Sequence, residues 1–181
     1  MLQSKQIIDI SLVPHSLTSK KSVQGYSTSR IKLFDTVIKL GFTLPTIVSP
    51  RAYISHQASI GIGSVIMHDV VVSASAIIGD NCIINTKSIV EHGSKIGNHC
   101  HISTNAVING DVVVGDGSFI GSNSVIGAQG FGVIKNPING LLERVLHIGG
   151  VYIGDNVTIG SNTCIDAGMI DETYIDSNVA I

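Results

Sequence analysis

IIGDNCIINTKSIVEHGSKIGNHCHISTNAVINGDVVVGDGSFIGSNSVI, residues 77–126, carries one aliphatic mark every six positions. Ile78, Ile84, Val90, Ile96, Ile102, Ile108, Val114, Ile120 and Ile126 are all Ile or Val, and the same count runs back through Val72, Ile66, Ile60 and Ile54 to Val48. Four residues after each mark stands a small or β-branched residue, from Ala52 and Ala58 through Cys82, Ser88 and Ser94 to Ser124 and Gly130. A strand repeats every two residues and a helix every 3.6, so a strict period of six fits neither alone. It fits short strands joined by corners, with one Ile or Val pointing inward from each side of a triangular coil. Three hexapeptides make a coil, and coils stacked as parallel strands ~4.8 Å apart place each aliphatic above its counterpart. Each full burial contributes roughly 1.5–3 kcal/mol. The expected fold is all-β, a left-handed parallel β-helix.

A second period marks the corners. Gly61, Gly79, Gly97 and Gly115 recur every eighteen residues, and two positions after each stand Gly63, Asn81, His99 and Gly117. Gly, Asn and His are the types that take positive φ at tight corners, so His99 reads as a corner residue and not as a ligand. The register breaks after Ile126. Residues 127–150 contain Gly130-Phe131-Gly132, Asn136-Pro137 and Asn139-Gly140, which are turn signals, and predict a loop leaving the coil. Marks restart at Ile153, Ile159 and Ile165, slip over residues 166–174, and resume at Ile175 and Ile181. The last coil stops midway, which reads as a truncated C-terminus, because terminal repeats normally carry a polar cap.

The division expected is an α/β segment over residues 1–47 and the β-helix domain over 48–181, with its loop at 127–150. Residues 27–40 place Ile31, Phe34, Val37 and Ile38 on one side and end at Gly41, the pattern of an amphipathic helix stopped by glycine. Residues 23–26 and 46–48 read as short strands, and residues 2–22 carry no clear pattern.

Composition narrows the function. The chain has 181 residues, 44% of them hydrophobic but only 4% aromatic, with no Trp, which suits a solenoid core of repeated aliphatics. Residues 1–51 carry seven Lys/Arg against two acids, and the remainder carries four against eleven, so the repeat region is acidic and argues against nucleic acid as a partner. No apolar run approaches the ~18 residues of a membrane span and no signal pattern opens the chain, so the expected location is cytoplasmic. Cys82, Cys100 and Cys164 lack CxxC spacing and read as small core residues; no metal site is expected.

Histidines on a regular solenoid stand out because its inward face is apolar. The densest cluster is Glu91-His92 with His99-Cys100-His101, preceded by Asn85, while His56 and His68 lie a coil or more earlier. Taken singly, each is first a solvated surface side chain.

Residues from about 27 to 125 resemble the sialic-acid O-acetyltransferase and UDP-amino-sugar N-acetyltransferase family of hexapeptide-repeat enzymes. The stretches that carry the likeness are Gly41-Phe42-Thr43-Leu44-Pro45-Thr46-Ile47, Ser49-Pro50-Arg51-Ala52, Ile84-Asn85-Thr86, Val90-Glu91-His92 and Ile96-Gly97, with His101 nine residues after His92. The resemblance implies a homotrimer that moves an acetyl group from acetyl-CoA, as co-substrate and without a metal, to an amino sugar in bacterial surface-glycan synthesis. It implies that His92 is the general base, that His101 and Ser122 contact the coenzyme, and that Gly110 lends its backbone N–H to the acyl site. A neutral imidazole, with an ordinary pKa near ~6.5, can take the proton released when an amine attacks a thioester, and an amide N–H can hold the developing oxyanion. The family commonly has an acid directly after this histidine, where the chain has Gly93. Glu91 precedes it, and neighbours in an extended segment point to opposite sides, so Glu91 is expected to face away and Asn85 to orient the ring. Residues 1–47 resemble only the last portion of the family's nucleotide-sugar domain and hold no glycine-rich phosphate loop.

Residues from about 126 to 181 are similar instead to UDP-3-O-acylglucosamine N-acyltransferase of lipid A synthesis. The likeness rests on Ile126-Gly127-Ala128-Gln129-Gly130-Phe131-Gly132, Ile153-Gly154-Asp155-Asn156-Val157 and the run from Ile165 to Ile175. That enzyme's catalytic histidine would fall just beyond Ile181, so an activity of that kind is the alternative, and His92 remains the favoured base. A γ-type carbonic anhydrase is disfavoured because its second zinc histidine would stand at Lys87 and its Arg-x-Asp pattern meets Tyr53 two residues after Arg51. A non-catalytic structural or ice-binding β-helix would show matched ladders outside, whereas Lys87, Glu91, Lys95 and Asp111 predict a mixed outer surface.

Overall fold

The computed structural model describes residues 28–181. The readings for residues 1–27, including the short strand at 23–26, lie outside the described residues. From Ile47 onward the chain winds into a parallel β-helix of strands mostly two or three residues long, arranged as three six-stranded parallel sheets. The first face holds the strands beginning at Ile47, Val65, Ile83, His101, Phe119 and Thr158. The second holds those beginning at Tyr53, Val71, Ile89, Val107, Val125 and Cys164, and the third those from Ser59, Ile77, Lys95, Val112, Val151 and Thr173. Pairing is in register at eighteen residues, as in Ile84 to Ile102 to Ile120, so the period of six becomes three vertical columns. From Ile66 to Ile159 every inward mark is buried. Val48, Ile54 and Ile60, on the lowest rung, are less covered.

The small residues fill the corners. Ser64, Ser88, Ser94, Ser118 and Ser124 are buried there, and each hydroxyl donates to a backbone carbonyl, such as Ser64 to Gly79 at 2.9 Å and Ser88 to Ser103 at 2.8 Å. A serine thus fits the apolar column without leaving a polar atom unmatched. Cys82 and Cys100 occupy the same position and are buried. The Cys82 thiol stacked beside it, together with burial, pushes the Cys100 thiol well above the ordinary range. Cys164 departs from the core reading: it opens its strand opposite Val125, a position that points outward, and it is exposed.

From Gly63 to Asn123 each corner turns through a left-handed residue. At the third corner these are Gly63, Asn81, His99 and Gly117, with φ between 55° and 69°. The glycines two positions earlier serve another need, the close approach of coils. A Cβ on Gly79 would sit 2.7 Å from the carbonyl carbon of Gly97 and 2.7 Å from Asn98 Oδ1. Gly79→Ala is therefore expected to destabilise by about 1–3 kcal/mol through overpacking, read as a lower urea midpoint with unchanged m-value. At this corner a ladder of side chains caps the backbone. Ile62 N–H donates to Asp80 Oδ1 (2.8 Å), Asp80 N–H to Asn98 Oδ1 (2.9 Å), Asn98 N–H to Asp116 Oδ1 (2.7 Å) and Asp116 N–H to Asp155 Oδ1 (2.8 Å).

Helix α1, Thr28–Lys39, leans on the third corner. Phe34 is buried with Leu44 and meets His99 edge-on at 5.6 Å, and Arg30 donates to the Gly63 carbonyl at 2.9 Å. The helix ends as expected at Gly41, φ 83°, whose N–H donates to the Ile38 carbonyl.

The insertion leaves after Ala128 and contains an antiparallel hairpin, Val133–Lys135 paired with Leu142–Arg144. The outer surface is mixed as expected on the third face, where Ser59, Ile77 and Lys95 form one outward column. Lys87 and Asp111 take corner conformations with positive φ and Glu91 follows the strand that ends at Val90, whereas the outward column of the second face is Tyr53, Val71, Ile89, Val107 and Val125. No described helix is long and apolar enough to cross a membrane.

Candidate functional site

His92 follows the strand Ile89–Val90 and stands at the second corner, with its side chain 77% exposed. Gly110 lies one coil above it. A Cβ on Gly110 would fall 3.3 Å from His92 Nε2 and 3.1 Å from the His92 carbonyl oxygen, so a side chain there would crowd the ring and shift it by a few tenths of an ångström. The residue that would cap the Gly110 amide, by analogy with the ladder at the third corner, is Ala128, which carries no acceptor. The capping ladder has no counterpart here, and among the described residues no side chain takes the Gly110 N–H.

Glu91 differs from the expectation. Its Oε2 lies 3.5 Å from His92 Nδ1, because the chain is bending into the corner and successive side chains no longer alternate across a sheet. Ser73, one coil below, donates its hydroxyl to the same carboxylate oxygen at 3.2 Å. Sequence reading passed over Ser73, although its offset of eighteen residues from Glu91 is the stacking period and was signal enough. With Glu91 on Nδ1, the tautomer it favours carries the proton there and leaves Nε2 as an acceptor, on the side of Gly110.

Asn85 does not join this group. It stands at the first corner, where its Oδ1 accepts the Thr86 N–H at 2.8 Å and its carbonyl accepts the Ser88 hydroxyl at 2.7 Å. Ser122 lies on that corner two coils higher, and its carbonyl accepts the Asn162 N–H. His101 belongs to the first face just before it, half-buried, with its ring edge-on to Phe119 at 5.3 Å. The five residues thus divide into two sets, His92 with Gly110 at the second corner, and Asn85, His101 and Ser122 around the first. One face of the same chain separates them.

A second pair, Ser49 and His68, meets at the first corner of the lowest coils, Oγ to Nδ1 at 2.7 Å. Ser49 Oγ also accepts the Arg51 N–H at 3.2 Å, so it acts as a turn cap. Among the described residues no group of three or more His, Cys, Asp or Glu could hold a metal ion.

The family model "Bacterial transferase hexapeptide (six repeats)" matches residues 75–110 and 93–128, and "Hexapeptide repeat of succinyl-transferase" matches 148–170. The UDP-3-O-acylglucosamine N-acyltransferase of Delftia acidovorans is 48% identical over 56 residues, which are 31% of this chain and 16% of that protein. The enzyme of the same name from Psychrobacter arcticus is 48% identical over 58 residues, 17% of its length. Among solved structures, the acetyltransferase domain of PglB from Neisseria gonorrhoeae is 27% identical over 83% of this chain and 63% of its own, with a TM-score of 0.63. A second structure of that domain, in complex with acetyl coenzyme A, matches at 0.61. PerB from Caulobacter crescentus, in complex with CoA and GDP-perosamine, is 26% identical over 84% of this chain and 60% of its own, with a TM-score of 0.66. The chain therefore spans under two thirds of these relatives, and on these matches it is a hexapeptide-repeat protein related to the UDP-3-O-acylglucosamine N-acyltransferases and the nucleotide-sugar acetyltransferases.

Proposed function

We propose that the chain is an acetyl-CoA-dependent acyltransferase that acetylates the amino group of a nucleotide-linked sugar in bacterial surface-glycan synthesis. The observation that carries this is the exposed His92 ring lying against Gly110 at a corner whose amide has no side-chain cap. As the amine attacks the thioester carbonyl, His92 Nε2 takes its proton, and Glu91, steadied by Ser73, stabilises the imidazolium through Nδ1. The Gly110 N–H donates to the developing oxyanion. Collapse breaks the C–S bond, and the imidazolium returns the proton to the leaving thiolate, giving free CoA.

His101 and Ser122 would contact the coenzyme and Asn85 would orient the His92 ring, but all three lie a face away from His92. A homotrimer answers this by setting the first corner of one copy against the second corner of the next. Residues 48–181 are then the transfer domain, and the reaction is cytoplasmic, where acetyl-CoA is made. The test is thiol release from a panel of acyl-CoAs with nucleotide-linked amino sugars. Turnover with acetyl-CoA that depends on an amino-sugar acceptor is expected; no release with any pair would defeat the proposal.

The short stretch of high identity to UDP-3-O-acylglucosamine N-acyltransferases favours a second reading, transfer of a longer acyl chain. A clear preference for long acyl thioesters over acetyl-CoA in the same panel would select it.

A further inference from the structure

We infer that Asn109-Gly110 is a self-modification site, at which the Asn109 amide closes onto the Gly110 nitrogen with His92 as base and opens again as aspartate or isoaspartate. This goes beyond acyl transfer and needs no acyl donor. It uses only the base and the open amide of the site described above.

The sequence holds two Asn-Gly pairs, 109–110 and 139–140. In such a pair no side chain shields the nitrogen that attacks the preceding side-chain carbonyl. The structure treats the two differently. At the hairpin tip both reactants are engaged: the Gly140 N–H donates to the Asn136 carbonyl and Asn139 Oδ1 accepts the Leu141 N–H, each at 2.9 Å. At the His92 corner neither is. Among the described residues the Gly110 N–H and the Asn109 side-chain amide have no hydrogen-bond partner. Asparagines at other corners are held: Asn98 Oδ1 accepts the Asp80 N–H at 2.9 Å, and Asn105 Nδ2 donates to Asn123 Oδ1 at 3.0 Å.

Position favours closure as well. Asn109 lies past the end of the strand Val107–Ile108, in the corner that leads to Val112, and both it and Gly110 are half-buried and open to water. The coil above presents Gly127, where a Cβ would press on the Asn109 Cβ at 3.3 Å, so its absence leaves room over the amide. His92 Nε2 comes within 3.3 Å of where a Gly110 Cβ would stand, on the carbon that bears the attacking nitrogen. With Glu91 on Nδ1, that Nε2 is an acceptor.

The step balances without an outside reagent other than water. Nε2 takes the Gly110 amide proton as the nitrogen attacks Asn109 Cγ. The N–Cγ bond forms, the Cγ–Nδ2 bond breaks, and the imidazolium returns the proton to the leaving nitrogen, which departs as ammonia. Water then opens the cyclic imide at either carbonyl, giving aspartate or, with the main chain rerouted through Cγ, isoaspartate. While the imide stands, Gly110 has no N–H to offer an oxyanion. Once it opens, a carboxylate occupies the rung above Glu91, which continues the register of Val90 with Ile108. Two acids on rungs ~4.8 Å apart beside one ring favour the imidazolium, which accepts no proton. The modification therefore silences the transfer proposed above.

The test follows the mass of the proteolytic peptide around each pair while the full chain is kept in mildly alkaline buffer, with isoaspartate detected by its methyltransferase. The unaltered protein is compared with His92→Ala and with His92→Gln, which keeps the bulk of the ring but not its basicity. Asn109 should gain the mass of amide-to-acid conversion ahead of Asn139. Both variants should slow it about 10²-fold, the lower end of what a positioned general base contributes, with Asn139 unchanged. Conversion at Asn139 first, none at Asn109, or equal rates at Asn109 with and without His92 would each overturn the inference. Undiminished CoA release from fully converted protein overturns the silencing. Mass is read without acetyl-CoA, so a chain that converts at Asn109 yet releases no CoA sinks only the transferase reading.

Discussion

His92→Ala is expected to lower kcat for acetyl transfer by about 10²–10⁴-fold, the usual contribution of a positioned general base. The KM for acetyl-CoA should move little, because the coenzyme contacts assigned to His101 and Ser122 lie on another corner. The fold should survive: the side chain is 77% exposed and its described partner is the adjacent Glu91. The comparison to make is steady-state CoA release by the purified variant and the unaltered protein, alongside their melting curves. Equal rates would remove His92 from the mechanism, and equal loss of structure would remove the experiment's force, which the melting curve detects. Gly110 sharpens the expectation, because a side chain there would crowd the ring.

The largest effect on stability should come from the column and not from the site. Ile102 is fully buried between Ile84 below and Ile120 above. Ile102→Ala removes three carbons from a rung whose neighbours are fixed by backbone pairing and cannot collapse inward, so a cost of about 2–5 kcal/mol is expected. That is a large share of the roughly 5–15 kcal/mol that holds a typical domain together. In a solenoid each coil contacts only its neighbours, so the loss should also split the urea transition into unequal parts. A midpoint within error of the unaltered protein would show that this column is not what holds the coils.

Much of this was legible in the sequence because a solenoid repeats one local decision. Ile or Val every sixth residue, and Gly, Asn or His at the turning positions, fix the faces and corners before any long-range packing is considered. His99 illustrates it, a corner residue with φ 59°. The site was less legible, since its geometry depends on where regularity ends. Glu91 was expected to point away from His92 by strand alternation, but the corner bends the pair together to 3.5 Å. Asn85 is near His92 in sequence yet a face away in the coil. Cys164 looked like Cys82 and Cys100 by composition, but it falls on the outward half of its strand. The hairpin within 127–150 was announced only by its turn residues, because a short two-stranded ribbon has no period to count.

The side-chain ladder at the third corner runs in one direction only. The amide of Ile62 waits for Asp80, that of Asp80 for Asn98, and that of Asp116 for Asp155, always on a residue synthesised later. A nascent chain emerging from a ribosome therefore always carries one open rung at its growing tip, closed only when the following turn arrives. On the ribosome the ladder closes in the order of synthesis, and a stalled chain would expose the same open edge wherever translation paused.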